Sequence, residues 1–263
     1  MLDASGMVHV QGDLFLVAED ELDHLRFFEF SAQKGTFRDT GQLLDFGAQE
    51  SDFESIAYNP QKDTYYCIGS HSESYSKVLL RFRLRDFKPI DVETLEFDPA
   101  WLVGSSVNIE ALSIYQDSLF IGLRSPSIDD RAAAIIFNAS SGAQLLTAFD
   151  LDQRVFRDMV CIDASNYLIL AGPEYGRDYP DRPALVFQWN GNLLNPALQQ
   201  LAIDLEGFRA ESICTRSTAD DRIDILIGSD ESKVKQALRF RMRHASAHNL
   251  GGIIGDSNEL LVC

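Results

Sequence analysis

Five times along the chain an acidic residue opens an apolar stretch, and a second apolar run follows a few residues later. That second run ends in Gly or Ala and gives way to a polar cluster. The copies open at Asp3, Glu54, Glu110, Asp158 and Glu211, and their second runs end near Ala18, Gly69, Gly122, Gly172 and Gly228. Successive copies lie about 50 residues apart, and each predicts four short strands. In the second copy these are 54–58, 64–70, 78–84 and 90–97. The third of them alternates as a half-buried strand does, and its counterparts fall at 25–30, 132–138, 184–189 and 237–242. Asn59-Pro60, Gln11-Gly12-Asp13 and Ser140-Ser141-Gly142 supply the turns between runs.

No segment sustains a helical period, which argues against alternating strands and helices. Four antiparallel strands per unit, repeated end to end, predict an all-β fold: a β-propeller of five blades. One propeller domain is expected over 1–245. The fifth copy has no clear fourth strand, so 246–263 is read as a tail or ring-closing segment, and the N-terminal segment is the other candidate for completing the last blade.

This architecture turns the repeat into a prediction about place. The acidic residue stands where each first strand begins, and the polar cluster where the antiparallel second strand ends, so both fall at one mouth of the central tunnel. The acidic positions have a structural explanation, because a carboxylate there can accept amide hydrogen bonds from the next blade. The clusters differ from copy to copy and are the better candidates for ligand binding: Glu19, Asp20, His71, Arg124, Glu174, Asp230 and Glu231. If a hard cation such as Ca²⁺ is held, oxygen ligands from Glu54, Glu110 and Glu211 suit it. No catalytic residue is assigned.

Composition narrows the partners. The 263 residues carry 40 acidic and 23 basic side chains, a formal charge of −17. That charge disfavours nucleic acid and anionic membranes. A small polar ligand, a cation or a basic peptide remains. Neither a signal peptide nor a spanning run is evident, so a soluble, cytoplasmic protein is expected. Cys67, Cys161, Cys214 and Cys263 form no CxxC. Three lie in strand-like runs and read as buried thiols, with Cys161 and Cys214 at equivalent places in successive repeats. Gly69-Ser70-His71-Ser72 lacks the frame of a nucleophile elbow. His244 and His248 lack a helical metal motif. The 175–182 loop (YGRDYPDR) overhangs the mouth as a possible lid.

Three elements carry a family resemblance. They are Asp3-Ala4-Ser5-Gly6 with Val17-Ala18-Glu19-Asp20-Glu21, Asp52-Phe53-Glu54-Ser55-Ile56-Ala57 with Ile68-Gly69-Ser70-His71-Ser72, and Asn108-Ile109-Glu110-Ala111-Leu112 with Ile121-Gly122-Leu123-Arg124-Ser125-Pro126. Together they resemble the DUF3616 family of uncharacterised bacterial proteins, with Ser125 where that family's GLRGP signature has Gly. The resemblance implies a β-propeller and no assigned activity. More distantly the chain is similar to esterase-like, phytase-related propellers. That implies an alternative function, a Ca²⁺-dependent hydrolase with Glu19 or Glu174 as general base and Arg124 steadying developing charge. Against it, the chain lacks a lysine-rich phosphate grip. A protein-interaction scaffold is the third alternative.

Overall fold

The computed structural model is an all-β ring of five blades. It describes residues 4–19, 24–47, 52–99, 107–175, 178, 181–193, 196–218, 222–229 and 237–243. Blade 1 comprises β1 (Ala4–Gln11), β2 (Leu14–Glu19), β3 (His24–Ser31) and β4 (Thr36–Asp45). Blade 2 comprises β5 (Phe53–Asn59), β6 (Thr64–Gly69), β7 (Leu79–Arg85) and β8 (Lys88–Thr94). Blade 3 is built from β9 (Asn108–Tyr115), β10 (Ser118–Ser125), β11 (Ala132–Asn138) and β12 (Gln144–Phe149). Blade 4 follows with β13 (Val155–Asp163), β14 (Asn166–Gly172), β15 (Leu185–Trp189) and β16 (Leu198–Gln200). Blade 5 is described through β17 (Ala210–Ser217), β18 (Arg222–Ser229) and β19 (Ala237–Arg243). Every sheet is an antiparallel meander in chain order. The third strand of each blade falls where the alternating pattern predicts it.

The N-terminal segment does not complete the last blade: β1 is the innermost strand of blade 1, paired only with β2. The 246–263 tail lies outside the described residues.

A sheet with two apolar faces must bury both, and the ring does this by stacking each blade on the next. Five hydrophobic cores result, one per blade interface. Between blades 1 and 2, Leu16, Phe27 and Phe53 meet Cys67 and Phe82. Blades 2 and 3 share Tyr66, Ile68, Ile109 and Ile135. Blades 3 and 4 share Phe120, Phe149, Phe156 and Trp189, linked edge to face in the order Phe120–Trp189–Phe149–Phe156. Val186 and Ile225 pack between blades 4 and 5. The ring closes where Phe15, Phe28 and Phe37 of blade 1 meet Cys214 and Leu226 of blade 5. At the same seam Arg216 of β17 forms an ion pair with Asp13 in the β1–β2 turn and bonds Asp224 at 3.0 Å.

The first strand of each blade carries a β-bulge near its start. Pairing to the second strand skips Ser5 in β1, Glu54 in β5, Glu110 in β9, Arg157 in β13 and Glu211 in β17. Around each bulge the sequence reads apolar, bulge residue, small or short polar residue, apolar: Ala4-Ser5-Gly6-Met7, Phe53-Glu54-Ser55-Ile56, Ile109-Glu110-Ala111-Leu112, Phe156-Arg157-Asp158-Met159 and Ala210-Glu211-Ser212-Ile213. The small third position is needed because innermost strands approach closely there. A Cβ on Gly6 would lie 2.6 Å from the Ser55 Cα and 2.9 Å from the Ile56 nitrogen.

This register corrects two expectations. Asp158 is one residue past the bulge, so Arg157, not Asp158, is the counterpart of Glu54, Glu110 and Glu211. A shift of one residue exchanges the faces of a strand. By the same register Cys161 is the counterpart of Thr215, not of Cys214. Cys161 packs between blades 3 and 4 and Cys214 between blades 5 and 1. Cys67, Cys161 and Cys214 are free thiols.

Candidate functional site

The strand pairing brings the two halves of the repeat together as expected. Phe53 pairs with Gly69, Asn108 with Ser125, Val155 with Gly172 and Ala210 with Ser229. The start of each innermost strand and the end of its neighbour therefore share one mouth of the tunnel. Bulges re-aim a side chain out of the regular pleat. Here Glu110, Arg157 and Glu211 meet at that mouth, and Glu54 holds the same bulge position in blade 2.

Arg157 organises the cluster. It is 3% exposed, and its Nη1 lies 3.3 Å from Glu110 Oε2 in blade 3 and 3.2 Å from Glu211 Oε2 in blade 5. Its Nη2 donates to the carbonyl oxygens of Pro173 and Glu174 on the loop after β14. Arg124, itself a bulge residue on β10, binds the other oxygen of Glu110 at 2.9 Å and donates from Nε to the Glu174 carbonyl at 3.0 Å. Two guanidiniums thus share one carboxylate and pin one loop. Charged groups so buried persist only with partners of opposite sign, and this set supplies them. Among the described residues the bulge ring is mixed in sign: carboxylates at Glu54, Glu110 and Glu211, a guanidinium at Arg157, and Ser5.

One position deeper, the small residues make a second layer. Ser55 Oγ donates to Asp158 Oδ1 at 2.8 Å, joining blade 2 to blade 4 across the tunnel. Ser55 also accepts from the Leu112 amide of blade 3 at 3.0 Å. Asp158 accepts from its neighbour's amide at Met159 (2.8 Å) and, through Oδ2, from the Ile213 amide of blade 5 (2.9 Å). The carboxylate that seals one blade to the next is therefore found at Asp158, between blades 4 and 5, and Ser55 does the same between blades 2 and 3. Burial drives the Asp158 carboxyl well above its usual range, and the three donors oppose that shift.

The remaining cluster residues are used differently. Glu19 is buried and paired with Arg26 at 2.9 Å inside its own blade. His71 is buried, has a left-handed backbone (φ 59°) and stacks edge-on against Phe97 at 5.3 Å. Burial lowers its pKa to about 4, with a hydrogen bond to the Val78 backbone acting the other way. The neutral imidazole is a core group between blades 2 and 3. Neighbouring Ser70 is held by Ser72 (2.8 Å) and Ser76 (2.9 Å) of its own loop and by Asp52 (2.6 Å) just ahead of β5. Glu174 contributes its carbonyl to the two arginines. Asp3, Asp20, Asp230 and Glu231 lie outside the described residues. Among the described residues no three His, Cys, Asp or Glu side chains gather closely enough to hold a metal ion. Burial raises the Cys67 and Cys214 thiols well above their usual range and Cys161 to about 12, which removes them as nucleophiles. Among the described residues no helix is long and apolar enough to cross a membrane.

Arg157 counts from sequence among the few basic groups near the mouth, but an alignment on acidic residues gives its place in the ring to Asp158. Alignment on the flanking apolar residues, Phe156 with Phe53 and Ile109, puts Arg157 in the ring.

No family profile and no characterised protein sequence matches this chain. Among solved structures, the exo-β-1,3-galactanase 1,3Gal43A of Clostridium thermocellum is similar in fold, with a TM-score of 0.56 and 11% identity over 94% of this chain and 60% of its own. Hydrazine synthase of Kuenenia stuttgartiensis aligns with a TM-score of 0.44 and 12% identity over 84% of this chain and 64% of its own. A protein of Lactobacillus plantarum gives 0.43 and 10% over 97% and 70%. This chain therefore spans about three fifths of the galactanase and hydrazine synthase chains. At 11% identity the likeness to the galactanase is one of fold alone, and the five antiparallel blades of this chain themselves define the class, a β-propeller.

Proposed function

We propose that this propeller binds a small polar ligand at the bulge-lined mouth, with donors from Arg124 and acceptors from Glu54, Glu110 and Glu211. The observation that carries the reading is the shared Glu110 carboxylate, held between buried Arg157 and partly exposed Arg124. Such an array offers charge-assisted bonds of both kinds to one molecule. A divalent cation at Glu54, Glu110 and Glu211 would have to displace a guanidinium from two of its three ligands, so the cation reading is the weaker one. The hydrolase reading depends on that cation and weakens with it. The DUF3616 resemblance is consistent with a binding propeller and remains part of this proposal.

Thermal shift against a panel of sugars, polyols and amino acids tests the reading, with EDTA followed by Ca²⁺ as a separate arm. At least one organic ligand should raise Tm, and Arg124→Ala should weaken its binding by about 10- to 100-fold, since bonds to charged groups are worth about 1.5–3 kcal/mol. The variant should stay folded, because Arg157 still neutralises Glu110. A Tm increase with Ca²⁺ after EDTA, and with no organic compound, would overturn the proposal in favour of a cation site.

A further inference from the structure

We infer that the other half of the tunnel is a second, independent binding pocket, suited to a compact uncharged organic molecule bearing hydroxyl or carbonyl groups. The Ser55–Asp158 bond divides the tunnel, and beyond it opens a cavity of about 290 Å³ walled by the later parts of all five innermost strands. Its apolar wall is supplied by the partly exposed Val8, Val10 and Val160, while Met7, Ile56, Leu112 and Met159 stand two past the bulge in four blades with their side chains buried in the cores between blades. Its outer wall is polar but neutral, with Ser113, Thr215 and Ser217 among the lining residues. The rim meets solvent, since Pro60 and Ser217 are exposed.

Two features select the ligand class. In a chain whose residues are 24% charged, the described residues lining this cavity include no Asp, Glu, Lys or Arg. Among the described lining residues the one imidazole is that of His9. Burial lowers its pKa, despite a bond to the Gly12 carbonyl and nearby Asp13, with Arg216 adding to the lowering. A charged guest would be desolvated with no counter-charge, a cost of several kcal/mol. Second, each innermost strand pairs on one edge only, so its other edge turns backbone amides and carbonyls to the tunnel. Hydroxyl or carbonyl groups on a guest satisfy such edges while its apolar body packs against Val8, Val10 and Val160. The volume equals that of about ten waters, near the lower end of ligand pockets.

Benzyl alcohol is the probe, with benzoate and benzylammonium as controls of similar shape and opposite charge, followed by saturation-transfer NMR on the whole chain. Benzyl alcohol should bind saturably, and both ions at least about tenfold more weakly. Thr215→Trp and Val10→Trp fill the cavity from blades 5 and 1 and should each cut benzyl alcohol binding by about tenfold or more, with folding checked by circular dichroism. Non-saturable binding, equal binding of the ions, or wild-type affinity in a folded Trp variant would each refute the pocket and leave a water-filled tunnel. This inference does not rest on the polar mouth, and neither outcome there bears on it.

Discussion

Protonation of His71 should unfold this protein more readily at mildly acidic pH, and the size of the effect follows from its burial. The folded-state pKa is about 4 against 6.5 for an unperturbed imidazole, so between these values the unfolded chain binds a proton that the native ring refuses. The sign is then set: stability from this group is whole above pH 6.5 and is lost as the pH falls toward 4. Between pH 7 and pH 5 the loss is about 2 kcal/mol, and it approaches about 3 kcal/mol below pH 4. Carboxylates titrate over the same range in so acidic a chain, so the total pH dependence is not diagnostic. The difference between wild type and His71→Asn is. Asn tolerates the left-handed backbone at this position and does not titrate, so its packing cost is the same at every pH. Urea unfolding of both proteins at pH 7, 6 and 5 should show the stability gap shrinking by about 2 kcal/mol on acidification. A gap independent of pH would mean that the imidazole is solvated, and would return His71 to the list of ligand-binding residues.

Other expectations concern the two layers of the tunnel. Arg157→Met should destabilise by about 3–5 kcal/mol, because Glu110 and Glu211 lose a buried counter-charge; a loss under about 1 kcal/mol by chemical denaturation would refute that role. Asp158→Asn should cost about 1–3 kcal/mol, since the new amide must face one of three hydrogen-bond donors, and a neutral result in the same assay would contradict the described bonding. Gly6→Ala should lower stability by about 1–3 kcal/mol through collision with the β5 backbone, measured as a fall in Tm; unchanged Tm would show that blades 1 and 2 can separate freely.

The blade repeat was legible because its signals are local: alternation over 78–84 and its four counterparts, and Gly or Ala where each second strand ends. The gathering of strand starts and ends at one mouth followed from antiparallel pairing alone. The side-chain identities of the ring were less legible. A bulge adds a residue without altering the apolar frame, so Arg157 and Asp158 are both admissible until the flanking Phe156 and Met159 are used to count. Glu19 and His71 look alike in sequence to residues facing a ligand. Only packing reveals that Arg26 covers the first and Phe97 the second. The neutral cavity gave no motif at all, since it is defined by what its walls lack.

The Ser55–Asp158 bond has a consequence for traffic. A ring of blades suggests a pore, yet here the passage is stoppered by a hydrogen bond between non-adjacent blades, with Gly6 held against the β5 backbone at the same depth. A solute crossing from one side of the disc to the other has to pass that bond. The two sides also differ in what a solute meets: a ring of charged side chains on one, a neutral wall on the other. One side can change its chemistry over evolutionary time while the other keeps its own.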